Sequence, residues 1–258
     1  MKTSTNSAVY VYCVFRAAGR ARTIGAPAGV PGATAPELHD IARGTWLATS
    51  TVPLDVYGPS NLEPRLRDLD WVAQVACAHE AVNEFFARAT GAVVVPMKLF
   101  TMFSSLERAI EDVRARRKAI DVVVRRVSGC EEWGIRVTRL AGQEPSGDSS
   151  RPTTGAEFLK ARKAARDAAS TARTTAIVAA DTAFDRLKRL SKAANRRSGG
   201  TEPGTNPPIL EAAFLVPKRA RATFTGEARR QTAILAKAGA DLTLTGPWPA
   251  YSFVGEEA

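Results

Sequence analysis

Residues 69–90 read LDWVAQVACAHEAVNEFFARAT, and Ala92–Phe100 follows as AVVVPMKLF. In the first stretch Trp71, Val72, Val75, Ala78, Val82, Phe85 and Phe86 recur at spacings of three and four. That is one apolar helix face. Asp68 and Asp70 stand at its positive N-terminal end, and Gly91 is the expected stop. The second stretch is β-branched and apolar, so it is expected to be a buried strand, with Pro96 confining it to an edge or a bulge.

Working outward, Ala8–Phe15 (AVYVYCVF) reads as a buried opening strand. Residues 16–36 are Gly-, Ala- and Pro-rich and read as a loop. Its Gly29 and Gly32 form a GxxG, but no helix start follows, so a phosphate-binding loop is rejected. Thr45–Val52 (TWLATSTV) is strand-like, with Gly44 at a hairpin turn. After the second strand, Ser104 or Ser105 caps a helix running to about Val127, and Gly129 ends it. Glu131–Leu140 alternates Trp133, Ile135 and Val137 inward, as a half-buried strand does. Two helices on a small antiparallel sheet predict an α+β sandwich of ferredoxin-like type over residues 1–140.

Residues 141–154 read as a Gly/Pro/Ser linker. A second, smaller α+β domain is expected over 155–258. It opens with an Ala-rich helix over about 155–197, with a seam of Phe158, Ala165, Ala169, Ala172, Ile177, Ala180, Phe184, Leu187 and Leu190. Thr174–Thr175 mark a point where that helix is expected to weaken. Strands at Ile209–Pro217 and Ala240–Thr245 flank a helix at Glu227–Lys237. The tail 246–258 begins GPWPAYSF. Its two prolines around Trp248 predict an extended arm whose aromatic rings anchor in a groove.

Composition narrows the function. The chain has 258 residues, 45% hydrophobic and 24% charged, which are globular values. The net charge is +10, and the excess falls mostly after residue 150. Such a surface suits nucleic acid, an anionic membrane or an acidic protein. Cys13, Cys77 and Cys130 are odd in number and lack metal spacing, which suits a reducing compartment. No apolar run is long enough for a membrane helix, and Ala8–Phe15 suits a strand better than a secretory leader. The expected location is the cytoplasm. The two histidines, His39 and His79, have no partner at zinc-ligand spacing, and no GxSxG, Walker loop or GxGxxG after a strand is present. No catalytic, cofactor-binding or metal-binding residue is expected. A basic nucleic-acid-binding module is the alternative. It is disfavoured because Phe158 and Phe184, the aromatics among the basic residues 151–197, belong to the apolar seam.

Several segments together resemble the GvpL/GvpF gas vesicle protein family. They are VYVYCVF (9–15) with GVPG (29–32), LDWVAQVACAHEAV (69–82), VVVPMKLFTMFSS (93–105) with EEWGIRV (131–137), and LTGPWPAYSFV (244–254) preceded by GAEFLKARKAAR (155–166). The family tail usually reads GPWPPY, and Ala250 replaces its second proline here. The resemblance implies two α+β domains, no enzymatic activity and no catalytic residues. It implies an accessory or minor structural protein of gas vesicle assembly, acting in nucleation or in keeping the major shell protein from aggregating. Its partners would be that shell protein and other accessory Gvp proteins, with no nucleic acid and no membrane. The partner-binding candidates are Val93, Val95 and Met97 on the Pro-constrained strand, and Trp248, Tyr251 and Phe253 in the tail.

Overall fold

The computed structural model describes residues 6–17, 22–42, 44–88, 92–140, 154–197 and 207–254. Gly91, most of the linker (141–153) and most of the loop 198–208 lie outside them. The chain divides into two units.

The first unit is Met1–Gly129 with Trp248–Ala258. Its strands are β1 (Ser7–Arg16), β2 (Glu37–Ala42), β3 (Thr45–Pro53), β4 (Val93–Pro96) and β5 (Met102–Phe103). They are ordered β2-β3-β1-β4, with β5 also on β1. β1 takes the centre because its run of aromatic and β-branched residues can be buried on both faces. β2 and β3 form the expected hairpin, with Gly44 at φ 67° in the turn. Short helices α1 (Leu54–Tyr57) and α2 (Pro59–Arg65) lead to α3 (Leu69–Ala87). The Asp68 side chain caps α3 by accepting from the Trp71 amide at 3.1 Å. α3 ends at Ala87, ahead of Gly91. The expected helix after Ser105 is two helices, α4 (Leu106–Ala115) and α5 (Arg117–Val127), separated at Arg116.

The second unit is Cys130–Pro247. It contains β6 (Cys130–Arg139), α6 (Gly155–Lys188), β7 (Ala193–Arg197), β8 (Leu210–Pro217), α7 (Arg221–Lys237) and β9 (Ala240–Trp248). The order βαββαβ with sheet order β7-β8-β6-β9 is the ferredoxin-like split βαβ. The first sheet has the same strand order, but a loop joins its first two strands where a helix would cross. The α+β class is therefore as expected. The division at residue 141 is not where the structure makes it. β6 pairs with β8, from Cys130↔Pro217 to Val137↔Leu210, so it opens the second sheet rather than closing the first.

Trp133, Ile135 and Val137 of β6, Ala212, Phe214 and Val216 of β8, and Leu242 of β9 form one side of the second core. Ala176, Ala180, Ala183, Phe184 and Leu187 of α6 and Phe224, Ala228 and Leu235 of α7 cover them. α6 is unbroken at Thr174–Thr175. Their hydroxyls donate to the carbonyls of Ser170 and Thr171, at 3.1 and 2.9 Å, inside the helix. It stops at Lys188, short of the expected 197. Beyond it the Lys192 amide bonds to the Leu215 carbonyl at 2.7 Å, and Ala193–Arg197 pairs along the open edge of β8. Those backbone groups exchange a helix ladder for a sheet ladder. Arg196 is held there by its ion pair with Asp181 (2.8 Å) and by its guanidinium lying 4.2 Å from the Phe184 ring centre. β9 runs three residues beyond the expected strand, through Gly246–Pro247 to Trp248, and Tyr251–Phe253 form a 3₁₀ turn rather than an extended arm.

Candidate functional site

The apolar face of α3 carries two polar side chains, His79 and Asn83, among its buried residues. His79 Nδ1 lies 3.0 Å from the Tyr10 hydroxyl, which also accepts from the Phe100 amide at 3.3 Å. The Tyr12 hydroxyl donates to Ser50 Oγ and accepts from the Val30 amide, both at 3.0 Å. Tyr57 donates to the Pro31 carbonyl at 2.8 Å. These bonds give the GVPG segment its structural reason: the loop closes on Tyr12 and Tyr57.

Desolvation governs the electrostatics. It holds the Tyr10 and Tyr12 hydroxyls above their ordinary range, pushes Tyr57 up to about 12 and raises the buried Cys13 thiol. It also lowers His79 to about 4. Near pH 7 the hydroxyls, thiol and imidazole are therefore all neutral. This is a buried, neutral polar cluster: the three tyrosine hydroxyls are hydrogen-bonded, while among the described residues His79 Nε2 and Asn83 Oδ1 have no hydrogen-bond partner. Cys77 is exposed while His79 is buried, so the two face different directions as their spacing predicts.

The tail docks on the same helix. Asn83 Nδ2 donates to the Tyr251 hydroxyl at 2.7 Å, and the hydroxyl also hydrogen-bonds the Glu80 side chain. Burial, followed by that carboxylate, raises the Tyr251 hydroxyl well above its ordinary range. Phe253 is 1% exposed and Tyr251 is half-buried. Trp248 is 39% exposed. In β4, Val93 is half-buried, while Val95 and Met97 beside it are buried. β4 ends the strand order as Pro96 requires, but α3 and α5 pack against it. Of the six candidates, α3 thus gathers β4 and Tyr251, and Trp248 offers the largest exposed ring.

A feature missed in the sequence is a cavity of about 280 Å³ where β1, the β2–β3 hairpin, α4 and α5 meet. Ile41, Val113 and Ile120 line it together with Arg16, Arg114, Arg117 and Asp121. Asp121 pairs with Arg16 and lies 4.0 Å from Arg117. Guanidiniums over an apolar floor can hold an anion, but they do not exchange protons near neutrality.

The family model "Gas vesicle synthesis protein GvpL/GvpF" matches residues 8–255. The chain belongs to the GvpL/GvpF family. Gas vesicle protein L of Streptomyces sp. (strain CB03234) is 30% identical over 268 residues, spanning 98% of this chain and 94% of that protein. The crystal structure of GvpF from Anabaena sp. PCC7120 is similar with a TM-score of 0.66 at 16% identity, covering 96% of each chain. GvpF from Microcystis aeruginosa gives 0.61 at 12%, over 96% of this chain and 98% of that one. These likenesses show that the two-sheet α+β fold is shared with GvpF. The family is one of gas vesicle proteins, and it is not a known enzyme family. Among the described residues no helix is long and apolar enough to cross a membrane.

Proposed function

We propose that this chain works in gas vesicle assembly, in the cytoplasm, by binding the major shell protein and limiting its aggregation before it joins the growing wall. Other accessory Gvp proteins are its further partners. The observation that carries this reading is the family match over nearly the whole chain, residues 8–255. Trp248 is the favoured contact among the tail residues, because its ring is already exposed. Val95, Met97 and Phe253 are buried and are the less accessible candidates.

The test is co-expression of the tagged chain with the major shell protein, followed by capture in low salt and in roughly 0.5 M salt, where exposed charges are largely screened. Capture that survives salt and falls in Trp248→Ala is the expected result. Absence of capture at both salt concentrations refutes direct binding to the shell protein.

A further inference from the structure

α6 is N-capped by a complete capping box. The Thr154 hydroxyl accepts from the Glu157 amide, and the Glu157 carboxylate accepts from the Thr154 amide. The helix is thus well started, yet every residue from Gly155 to Thr175 is exposed. Ala176 is the first residue that the core covers. At 1.5 Å per residue this leaves about 31 Å of helix without a partner among the described residues.

The exposed half is not an all-polar face. Phe158 is 54% exposed and Leu159 65%. From Phe158 an apolar row runs through Ala165, Ala169 and Ala172, and then continues as Ala176, Ala180, Ala183 and Leu187. The latter four are buried against the sheet. One continuous seam is therefore satisfied over its second half and bare over its first. Arg162, Arg166 and Arg173 stand along the bare part at spacings of four and seven, which places them in one row beside the apolar one.

Charge selects the occupant. Residues 155–175 hold Lys160, Arg162, Lys163, Arg166 and Arg173 against Glu157 and Asp167. Glu157 is committed to the cap, and Asp167 lies on the opposite side from Phe158. Among the described residues none of the five cations makes an ion pair. A second copy would bring the same arginine row against a face with no carboxylates to meet it. A helix with acidic residues flanking an apolar seam meets both rows, and the alanines let it approach to the short end of the 8–10 Å range for packed helices.

We infer that the first half of α6, from Phe158 to Arg173, is a docking arm for an acidic amphipathic helix of a different protein. This surface is independent of Trp248 and of the identity of the shell contact.

The probe is a fluorescent synthetic peptide of about three heptads with a Leu/Ala seam flanked by Glu, paired with a control carrying Lys at the flanking positions. Binding to the full chain is followed by anisotropy. The Glu peptide is expected to bind and the Lys peptide to fail. Phe158→Asp and the pair Arg162→Glu with Arg166→Glu should each weaken the Glu peptide at least about tenfold, or 1.4 kcal/mol. The charge-reversed pair should accept the Lys peptide instead. All three positions are exposed, and circular dichroism checks that the helix remains. Equal binding of both peptides, or binding of neither, overturns the assignment. So does sedimentation showing a dimer of the wild-type chain that Phe158→Asp dissociates, since the second copy is then the occupant.

Discussion

His79 makes the protein sensitive to mild acid. Its imidazole is 3% exposed, and desolvation lowers its pKa from 6.5 to about 4, with the Met97 backbone acting weakly in the other direction. In the unfolded chain the same group titrates near its ordinary value. The folded state therefore refuses a proton that the unfolded state accepts. The stability this provides is complete above pH 6.5, declines as the pH falls through the window from 6.5 to 4, and is gone below it. Each pKa unit is worth about 1.4 kcal/mol, so the full difference is about 3 kcal/mol and the loss by pH 5 about 2 kcal/mol. Two assays check this. Carbon-13-labelled histidine gives two imidazole resonances, one for each histidine of the chain, and His39→Gln assigns them. Denaturant unfolding of wild type and His79→Gln at pH 7.5 and 5.0 gives the energetic side. The variant has no imidazole to titrate, so its stability should fall by about 2 kcal/mol less over that interval. An imidazole at position 79 that titrates at or above 6.5, or identical pH dependence in both proteins, would refute the reasoning.

Three further outcomes follow from named contacts. Tyr251→Phe removes the hydroxyl shared by Asn83 and Glu80 and should cost about 1–2 kcal/mol in denaturant unfolding. Arg221→Ala strips the bidentate partner from Glu131, whose carboxylate is 6% exposed and also accepts from Trp133 Nε1 at 2.9 Å. A buried carboxylate left unpaired should cost about 3 kcal/mol, and adding Glu131→Gln should recover part of it in the same unfolding measurement. Gly29→Ala places a methyl group 2.5 Å from the Tyr12 hydroxyl and 2.8 Å from Ser50 Oγ. The loop must shift, so the melting temperature should drop by an amount corresponding to about 1–3 kcal/mol.

Local pattern carried much of this fold. The unbroken apolar run of Ala8–Phe15 marks a central strand, and the three-and-four spacing from Trp71 to Phe86 marks α3 with its buried face. The alternation of Trp133, Ile135 and Val137 likewise identifies a strand. It is silent about which sheet that strand joins, since both faces of the choice look alike from within ten residues, and only pairing with β8 decides it. Helix propensity continues smoothly through Lys188–Arg197, so the sequence favours a longer α6. The open edge of β8 is a non-local fact that outweighs it. Partnerships across long separations are equally invisible: Asn83 with Tyr251, 168 positions apart, and Arg16 with Asp121, 105 apart. The basic cavity rests on the second of these. The prolines around Trp248 suggest an extended arm, whereas β9 runs through Pro247 and Tyr251–Phe253 form a 3₁₀ turn, and the bond of Tyr251 to Asn83 on α3 has no sequence signal of its own.

The tail also sets a clock. The first unit receives Trp248–Ala258 only after the whole of Cys130–Pro247 has been made. At about 5–20 residues per second of synthesis, the place of Tyr251 on α3 stays unfilled for roughly 6–25 s after residue 129 is joined. The first unit is therefore completed by residues that follow the whole of the second in the order of synthesis.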